Sequence, residues 1–284
     1  MKKITKAVIP CAGLGTRFLP ITKSVPKEVL PIVDKPTIAY IVDECIEAGI
    51  TDILIITNPY KKVIEDYFDQ NYELENRLKQ KNKLKELELI KTNENVNIYF
   101  LRQGEPLGSG HAIKIAKNFI NDEPFAVLYG DDLMKSNKPA IGQLIDIHDK
   151  YDCNVIGCLE VDPNTVNRYG IVKLKDNTKD IAEKLVEKPN IGESPSNLAG
   201  LGRYVLKPEI FDALEKVPKH DNGEYYLTDA MEMLMQEGNF HVCSIDATYY
   251  DTGNKVGYLR ANIDYALDRE DLKEDLKAYL DTIK

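Results

Sequence analysis

The residues with the greatest chemical potential sit just after the first apolar run. Ala7-Val8-Ile9-Pro10-Cys11 opens into Ala12-Gly13-Leu14-Gly15-Thr16-Arg17, with Pro26-Lys27-Glu28 and Leu30-Pro31 downstream. A buried strand that empties into a glycine-bearing turn lets backbone N–H groups approach a ligand closely, because glycine has no Cβ in the way. Arg17 and Lys27 would add the positive charge that a bound polyphosphate requires. The turn is not a dinucleotide fingerprint, since Phe18 stands where the third glycine belongs, and the chain has no Gly-x-x-x-x-Gly-Lys-Ser/Thr run. Read alone, it could equally be a tight strand-to-loop turn with an exposed arginine.

Two further places carry acids in turns. Leu128-Tyr129-Gly130-Asp131-Asp132 sets a pair of carboxylates just past a predicted buried strand, at the sheet edge where ligands of open α/β sheets sit. A carboxylate there can hold Mg²⁺, which needs few protein ligands because phosphates and water complete its octahedron. Tyr249-Tyr250-Asp251-Thr252-Gly253-Asn254 presents another acid between a strand and a helix, where Asp251 could instead cap the helix. Gln103, in Arg102-Gln103-Gly104, offers both a donor and an acceptor, and is read either as a base-recognising group or as a surface amide.

The elements that must position these groups follow from hydrophobic spacing. Apolar or β-branched runs at 6–11, 52–57, 96–101 and 125–129 predict strands. Ile38, Ile41, Val42, Cys45 and Ile46 repeat at helical spacing and stop at Gly49, and Ile113, Ala116 and Ile120 do the same after Gly108-Ser109-Gly110. Buried strands alternating with helices mean an α/β sheet that is largely parallel. Residues 61–95, with Leu74, Leu78, Leu84 and Leu87 amid Lys and Glu, predict a solvated helical excursion. Beyond 150, short runs at 153–161, 170–174 and 199–206 predict a mixed extension of the sheet, with 192–196 as a loop. Leu272, Leu276, Tyr279, Leu280 and Ile283 predict an amphipathic helix capping the core, with a dimer contact as the alternative. No repeat or linker divides the chain, so 1–284 reads as one domain.

Bulk properties exclude several classes. A net charge of −9 leaves no basic excess for nucleic acid. An anionic substrate would therefore need local cations, and a metal ion, to offset the field. No apolar run approaches the ~20 residues of a transmembrane helix. Met1-Lys2-Lys3 resembles a signal n-region only until the short run after it meets Pro10. The cysteines at 11, 45, 153, 158 and 243 and the histidines at 111, 148, 220 and 241 show no metal-ligand spacing, so reduced, buried thiols and a cytoplasmic location are expected.

Residues 11–49, CAGLGTRFLPITKSVPKEVLPIVDKPTIAYIVDECIEAG, closely resemble the N-terminal signature of the bacterial UTP–glucose-1-phosphate uridylyltransferases, members of the nucleotide-sugar pyrophosphorylase group of nucleotidyltransferases. The resemblance continues near 103–112, 128–132, 169–171, 186–189, 199–204 and 250–254. Thymidylyltransferases acting on the same sugar phosphate usually carry a double glycine after the alanine, where this chain has Gly13-Leu14.

The resemblance implies a Rossmann-like, mostly parallel central sheet flanked by helices, with a mixed-sheet sugar-binding extension. Residues 1–150 would form mainly the nucleotide half and 151–284 mainly the sugar half. It implies that UTP and glucose 1-phosphate give UDP-glucose and pyrophosphate with Mg²⁺. Asp131 would hold the metal, with Asp251 as the second ligand that related enzymes use, and Asp132 would serve the turn. Gln103, Gly108, Ala12, Gly13 and Gly15 would bind the nucleotide, with Glu28 helping to hold the uridine. Arg17 and Lys27 would hold the UTP phosphates, Glu187 the sugar hydroxyls and Lys188 the sugar's phosphate. Gly170 belongs to the hexose-binding segment, and Gly200 and Gly202 would leave room for the ring. Glu187 and Lys188 would point to opposite faces of a regular strand, so both can line one site only if the strand end is bent or irregular. A homodimer or homotetramer is the expected assembly. The alternatives are another nucleotide and hexose pair, or a non-catalytic paralogue that binds nucleotide sugar.

Overall fold

Three apolar runs in the first half of the chain are buried on both sides, and that decides the architecture. The computed structural model describes residues 2–91 and 95–283. Along the chain, β1 (Lys6–Pro10) precedes the short strands β2 (Pro31–Ile32) and β3 (Lys35–Pro36), helix α1 (Thr37–Glu47) and β4 (Asp52–Thr57). The charged segment forms α2 (Lys62–Phe68), α3 (Tyr72–Gln80) and α4 (Leu84–Leu89) before β5 (Asn97–Arg102). Next come α5 (Gly108–Ile115), α6 (Lys117–Ile120), β6 (Phe125–Leu128), β7 (Asp132–Lys135) and α7 (Ala140–Tyr151). The second half holds β8 (Asn154–Glu160), β9 (Gly170–Leu174), β10 (Ala182–Glu187) and β11 (Leu198–Leu206). It ends with α8 (Glu209–Leu214), α9 (Leu227–Gln236), β12 (Phe240–Ser244), β13 (Thr248–Asp251), α10 (Lys255–Leu267) and α11 (Lys273–Leu280).

One nine-stranded sheet runs β10-β9-β11-β6-β1-β4-β5, with β8 on β11 and β12 on β8. β6, β1, β4 and β5 are mutually parallel. β11 reverses direction and pairs antiparallel with β6, β8 and β9, which makes the extension mixed. Separately, β13 pairs with β7 and places Asp251 opposite Asp132.

Successive side chains of a strand face opposite ways, so an unbroken apolar run needs cover on both faces. Ala7 and Ile9 enter one hydrophobic cluster and Val8 the other; Ile53 and Ile55 are split likewise from Leu54 and Ile56. Helices α1 and α7 cover the first face through Ile38, Ile41, Ile141 and Leu144. Helices α5, α8 and α9 cover the second through Ile113, Phe211 and Met231. The chain thus adopts the expected central sheet flanked by helices.

The peripheral elements divide. Helices α3 and α4 bury no residue, as a solvated excursion requires; residues 92–94 of that segment lie outside the described residues. The expected C-terminal cap is corrected. α11 also buries no residue, because Leu272, Leu276 and Leu280 are only half-buried, and it packs against α10 rather than on the core. Among the described residues no helix is long and apolar enough to cross a membrane, and all five cysteines are buried and free.

The core also contains an ion pair. Arg203, on β11, is 0% exposed. Its Nε and Nη2 donate to Glu44 of α1 at 2.9 and 2.7 Å, Nη1 donates to the Gly202 carbonyl at 3.0 Å, and Nη2 also donates to the Asp132 carbonyl at 2.7 Å. Glu44 Oε1 further accepts the Ile141 N–H at the start of α7 (2.9 Å). Removing one partner of such a pair strands a charge in the core. Glu44→Ala is therefore expected to cost about 3–5 kcal/mol, measured as a lower urea midpoint; an unchanged midpoint would remove the pair from the stability account.

Candidate active site

Parallel strands present their C-terminal ends on one edge, and a crevice opens where strand order reverses. From β1 the chain builds outward to β4 and β5, then returns to set β6 on the other side of β1. A cleft of about 880 Å³ opens at that edge. It is lined by every residue singled out from the sequence: Ala12, Gly13, Gly15, Arg17, Lys27 and Glu28; Gln103 and Gly108; Asp131, Gly170, Glu187, Lys188, Gly202 and Asp251.

The loop after β1 is held from below. Asn58, just past β4, donates to the Ala12 carbonyl at 2.8 Å, and Thr22 Oγ1 donates to the Gly15 carbonyl at 2.8 Å. Gly15 is in the left-handed region at φ +65°, which explains the glycine. A Cβ on Gly13 would meet no protein atom within 4 Å, so the space over that residue is open. Glu28, expected to help hold the uridine, lines the cleft from a buried position. It is 1% exposed, and both its oxygens accept from Lys61 Nζ at 2.8 Å. Burial pushes its carboxyl up, against the opposing pull of Lys61 and Lys27. The pair forms a floor beneath Lys27.

Three cations rest on three carboxylates around the cleft. Lys27 is hydrogen-bonded to Asp131, Arg17 Nη1 lies 3.6 Å from Asp251 Oδ2, and Lys188 Nζ lies 2.9 Å from Glu187 Oε1. Burial alone would raise the Asp131 carboxyl, but the charges of Lys27 and Arg17 hold it below the usual carboxylate range. Burial pulls Lys27 down, and Asp131 and Glu28 more than reverse this. Asp132 faces away from the cations: Oδ2 accepts the Gly202 N–H at 3.0 Å and Oδ1 accepts the Tyr249 hydroxyl at 2.8 Å. Burial and the neighbouring Asp131 charge push its carboxyl up to about 7.

Asp251 does not cap α10, because Asn254 does so, accepting the Gly257 N–H at 2.8 Å. Any Cβ on Gly253 would strike Asp131 Oδ2 and come within 3.0 Å of Asp251 Oδ1 and 3.3 Å of Arg17 Nη2. The two carboxylates thus share one small cradle. Among the described residues no group of three or more His, Cys, Asp or Glu side chains forms a metal cluster. That donor set fits a hard cation taking most of its shell from phosphates and water.

At the end of β10, the strand problem is solved by backbone. β10 ends at Glu187, and Lys188 turns to φ +45°, with its N–H on the Tyr169 carbonyl at 3.0 Å. A non-glycine residue in that region is uncommon and breaks the alternation, bringing both side chains to the cleft. Gly202 lines the cleft, and its missing Cβ also makes room for Asp132 and for Tyr129 Cβ, 2.6 Å away. Gly200 likewise yields to Ile156, and at Gly170 a Cβ would lie 3.2 Å from Glu187 Oε2. Gly108, at φ +90°, would strike the Tyr225 carbonyl at 2.6 Å. Gln103 has spent its nitrogen on the Gly108 carbonyl (3.3 Å) and His111 Nδ1 (2.8 Å), so its oxygen is what it can still offer.

Lys61, Tyr129, Arg168, Glu224 and Tyr226 escaped sequence reasoning, although the last four line the cleft. Glu224 and Tyr226 arrive through long-range backbone pairing, Tyr225 N–H to Leu107 O at 2.8 Å and Gly110 N–H to Tyr225 O at 2.9 Å, which leaves no local signal.

A reversed α/β sheet edge carrying paired cations and carboxylates defines a phosphate-handling enzyme. The chain belongs to the nucleotidyl transferase family, which its residues 6–267 match. It is similar to the UTP–glucose-1-phosphate uridylyltransferase of Staphylococcus epidermidis, 48% identical over 283 residues, covering 99% of this chain and 98% of that one. Among solved structures it is similar to a UTP-bound UGPase from Acinetobacter baumannii, with a TM-score of 0.92 and 39% identity over 99% of this chain and 100% of that one. A UDP-glucose pyrophosphorylase complexed with UDP-glucose gives a TM-score of 0.84 at 38% identity, over 94% of this chain and 100% of that one.

The Lys61–Glu28 pair gives a direct test of the cleft floor. Lys61→Met is expected to destabilise the fold by about 3 kcal/mol, with most of that loss recovered when Glu28→Gln is added. Urea denaturation of the two single variants and the double variant measures the coupling; strict additivity would mean that Lys61 and Glu28 do not stabilise one another.

Proposed function

We propose that this chain is a UTP–glucose-1-phosphate uridylyltransferase, forming UDP-glucose and pyrophosphate. The observation that carries the reading is the convergence of Lys27, Arg17 and Lys188, each on a carboxylate, in one cleft beside the Gln103 amide. The similarity to enzymes named for this reaction, and to structures described as UTP-bound and UDP-glucose-complexed, supports it.

A phosphate oxygen of glucose 1-phosphate attacks the α-phosphorus of UTP in line. The new P–O bond forms as the bond to the β-phosphate breaks, and pyrophosphate leaves with that electron pair. The attacking oxygen is already an anion, so no general base is required. Catalysis rests on positioning and on charge stabilisation. Lys188 draws in the sugar phosphate, Glu187 accepts from sugar hydroxyls, and Lys27 and Arg17 hold the UTP phosphates and the departing pyrophosphate. Ala12 and Gly13 contact the base through the backbone, and the Gln103 oxygen accepts the uracil N3–H.

Mg²⁺ is the proposed cofactor, with Asp131 and Asp251 as its protein ligands. Bound there, it would supply positive charge to the phosphates during transfer.

Pyrophosphate release should be confined to UTP with glucose 1-phosphate when UTP or dTTP is paired with glucose, galactose or N-acetylglucosamine 1-phosphate, and should vanish with EDTA. Preference for another pair would change the substrate assignment. Lys188→Ala and Asp131→Ala should each lose at least ~100-fold in rate with the fold intact; near wild-type turnover in both would overturn their roles.

A further inference from the structure

A primary amide can present either its oxygen or its nitrogen, and an amide that reads a base needs that choice made for it. Gln103 follows β5 at the cleft edge and is 3% exposed. Its nitrogen lies 3.3 Å from the Gly108 carbonyl oxygen. A carbonyl oxygen only accepts, so the amide nitrogen is the atom on that side. The same nitrogen lies 2.8 Å from His111 Nδ1. With one amide hydrogen on Gly108 and the other directed at His111, Nδ1 must be the bare ring nitrogen, which makes the neutral imidazole the Nε2–H tautomer.

The surroundings favour that neutral state. His111 stands in the first turn of α5, where the partial positive charge of the helix N-terminus opposes an imidazolium. Burial and the nearby Lys114 charge hold the ring below the usual histidine range, with Glu105 acting weakly the other way.

We propose that His111 is the positioning residue for base selection: by accepting from Gln103 it turns the amide oxygen to the cleft, so the site takes a pyrimidine with a ring N3–H and rejects one whose N3 is bare. The proposal rests on the reading that Gln103 meets the nucleobase. Uracil donates its N3–H to the Gln103 oxygen. Cytosine would set a lone pair against that oxygen, and the amide cannot flip without setting its oxygen against the Gly108 carbonyl and forcing the proton of His111 onto Nδ1. Thymine also carries N3–H, so this contact separates UTP from CTP and not from dTTP.

The test compares kcat/KM for UTP and CTP, at saturating glucose 1-phosphate, in wild type, His111→Asn and His111→Leu. The asparagine oxygen takes the place of Nδ1 and still accepts, whereas leucine has a similar outline and no acceptor. The UTP/CTP ratio should stay within about twofold of wild type in His111→Asn and fall roughly 5- to 10-fold in His111→Leu. A merely structural role would lower both nucleotides alike. An unchanged ratio in His111→Leu, or equal relaxation in both variants, overturns the inference and leaves uridylyl transfer standing. A wild type without UTP turnover overturns both. Should His111→Leu fail to fold, ¹⁵N spectra of histidine-labelled wild type decide instead: a bare Nδ1 on His111 supports the proposal, and a protonated Nδ1 overturns it.

Discussion

A guanidinium with no access to water has to be answered by fixed partners, and the site depends on how Arg203 is answered. Glu44 takes two of its N–H groups, while the carbonyls of Gly202 and Asp132 take others. That one side chain therefore locks α1 to β11 and to the turn that displays Asp131, and through Glu44 it also reaches α7. Pairs of this kind contribute little net stability compared with an apolar core, but they penalise every arrangement in which a partner is displaced. The carboxylate turn is consequently fixed from its buried side, leaving Asp131 to respond to whatever lies in the cleft. Lys61 and Glu28 do the same for the loop that bears Lys27.

The cleft pairs its own charges. Each cation proposed to meet phosphate rests on a carboxylate, which offsets the repulsion among three positive groups lining one cleft. An incoming anion exchanges one partner for another and need not assemble the charges from solution. Preorganisation of this sort is where electrostatic catalysis gains most, because little reorientation remains for the reaction itself. Gln103 likewise has its nitrogen committed to Gly108 and His111, which leaves its oxygen for the proposed base contact.

The sheet was legible in the sequence because burial on both faces leaves an uninterrupted apolar run, as at 53–56, and because helices announce themselves by spacing. The residues that line the cleft were legible where they stand in turns that follow such strands. What stayed hidden is pairing across long separations. Glu44 reads as one more polar residue on a helix, and nothing in residues 37–47 points to an arginine 159 positions away. Lys61 reads as the start of a charged surface segment, yet it is buried. The glycines of 199–204 were legible as places needing room, and Asp132 and Ile156 take up part of it. Helix α11 shows the limit of periodicity: an amphipathic stripe says that one face is covered, and the neighbouring α10, rather than the core, supplies that cover.

β11 belongs to both sides of the cleft, since Arg203–Leu206 pair with β6 while Ala199 and Gly200 pair with β9. During synthesis Asp131 is made long before Arg203, and in that interval β6 has an open edge and the carboxylate turn lacks its anchor. Non-local strand pairing of this kind is closed late, after its loop entropy has been met. A growing chain therefore does not complete one side of the cleft first and the other afterwards. Both take their final form with the docking of a single strand.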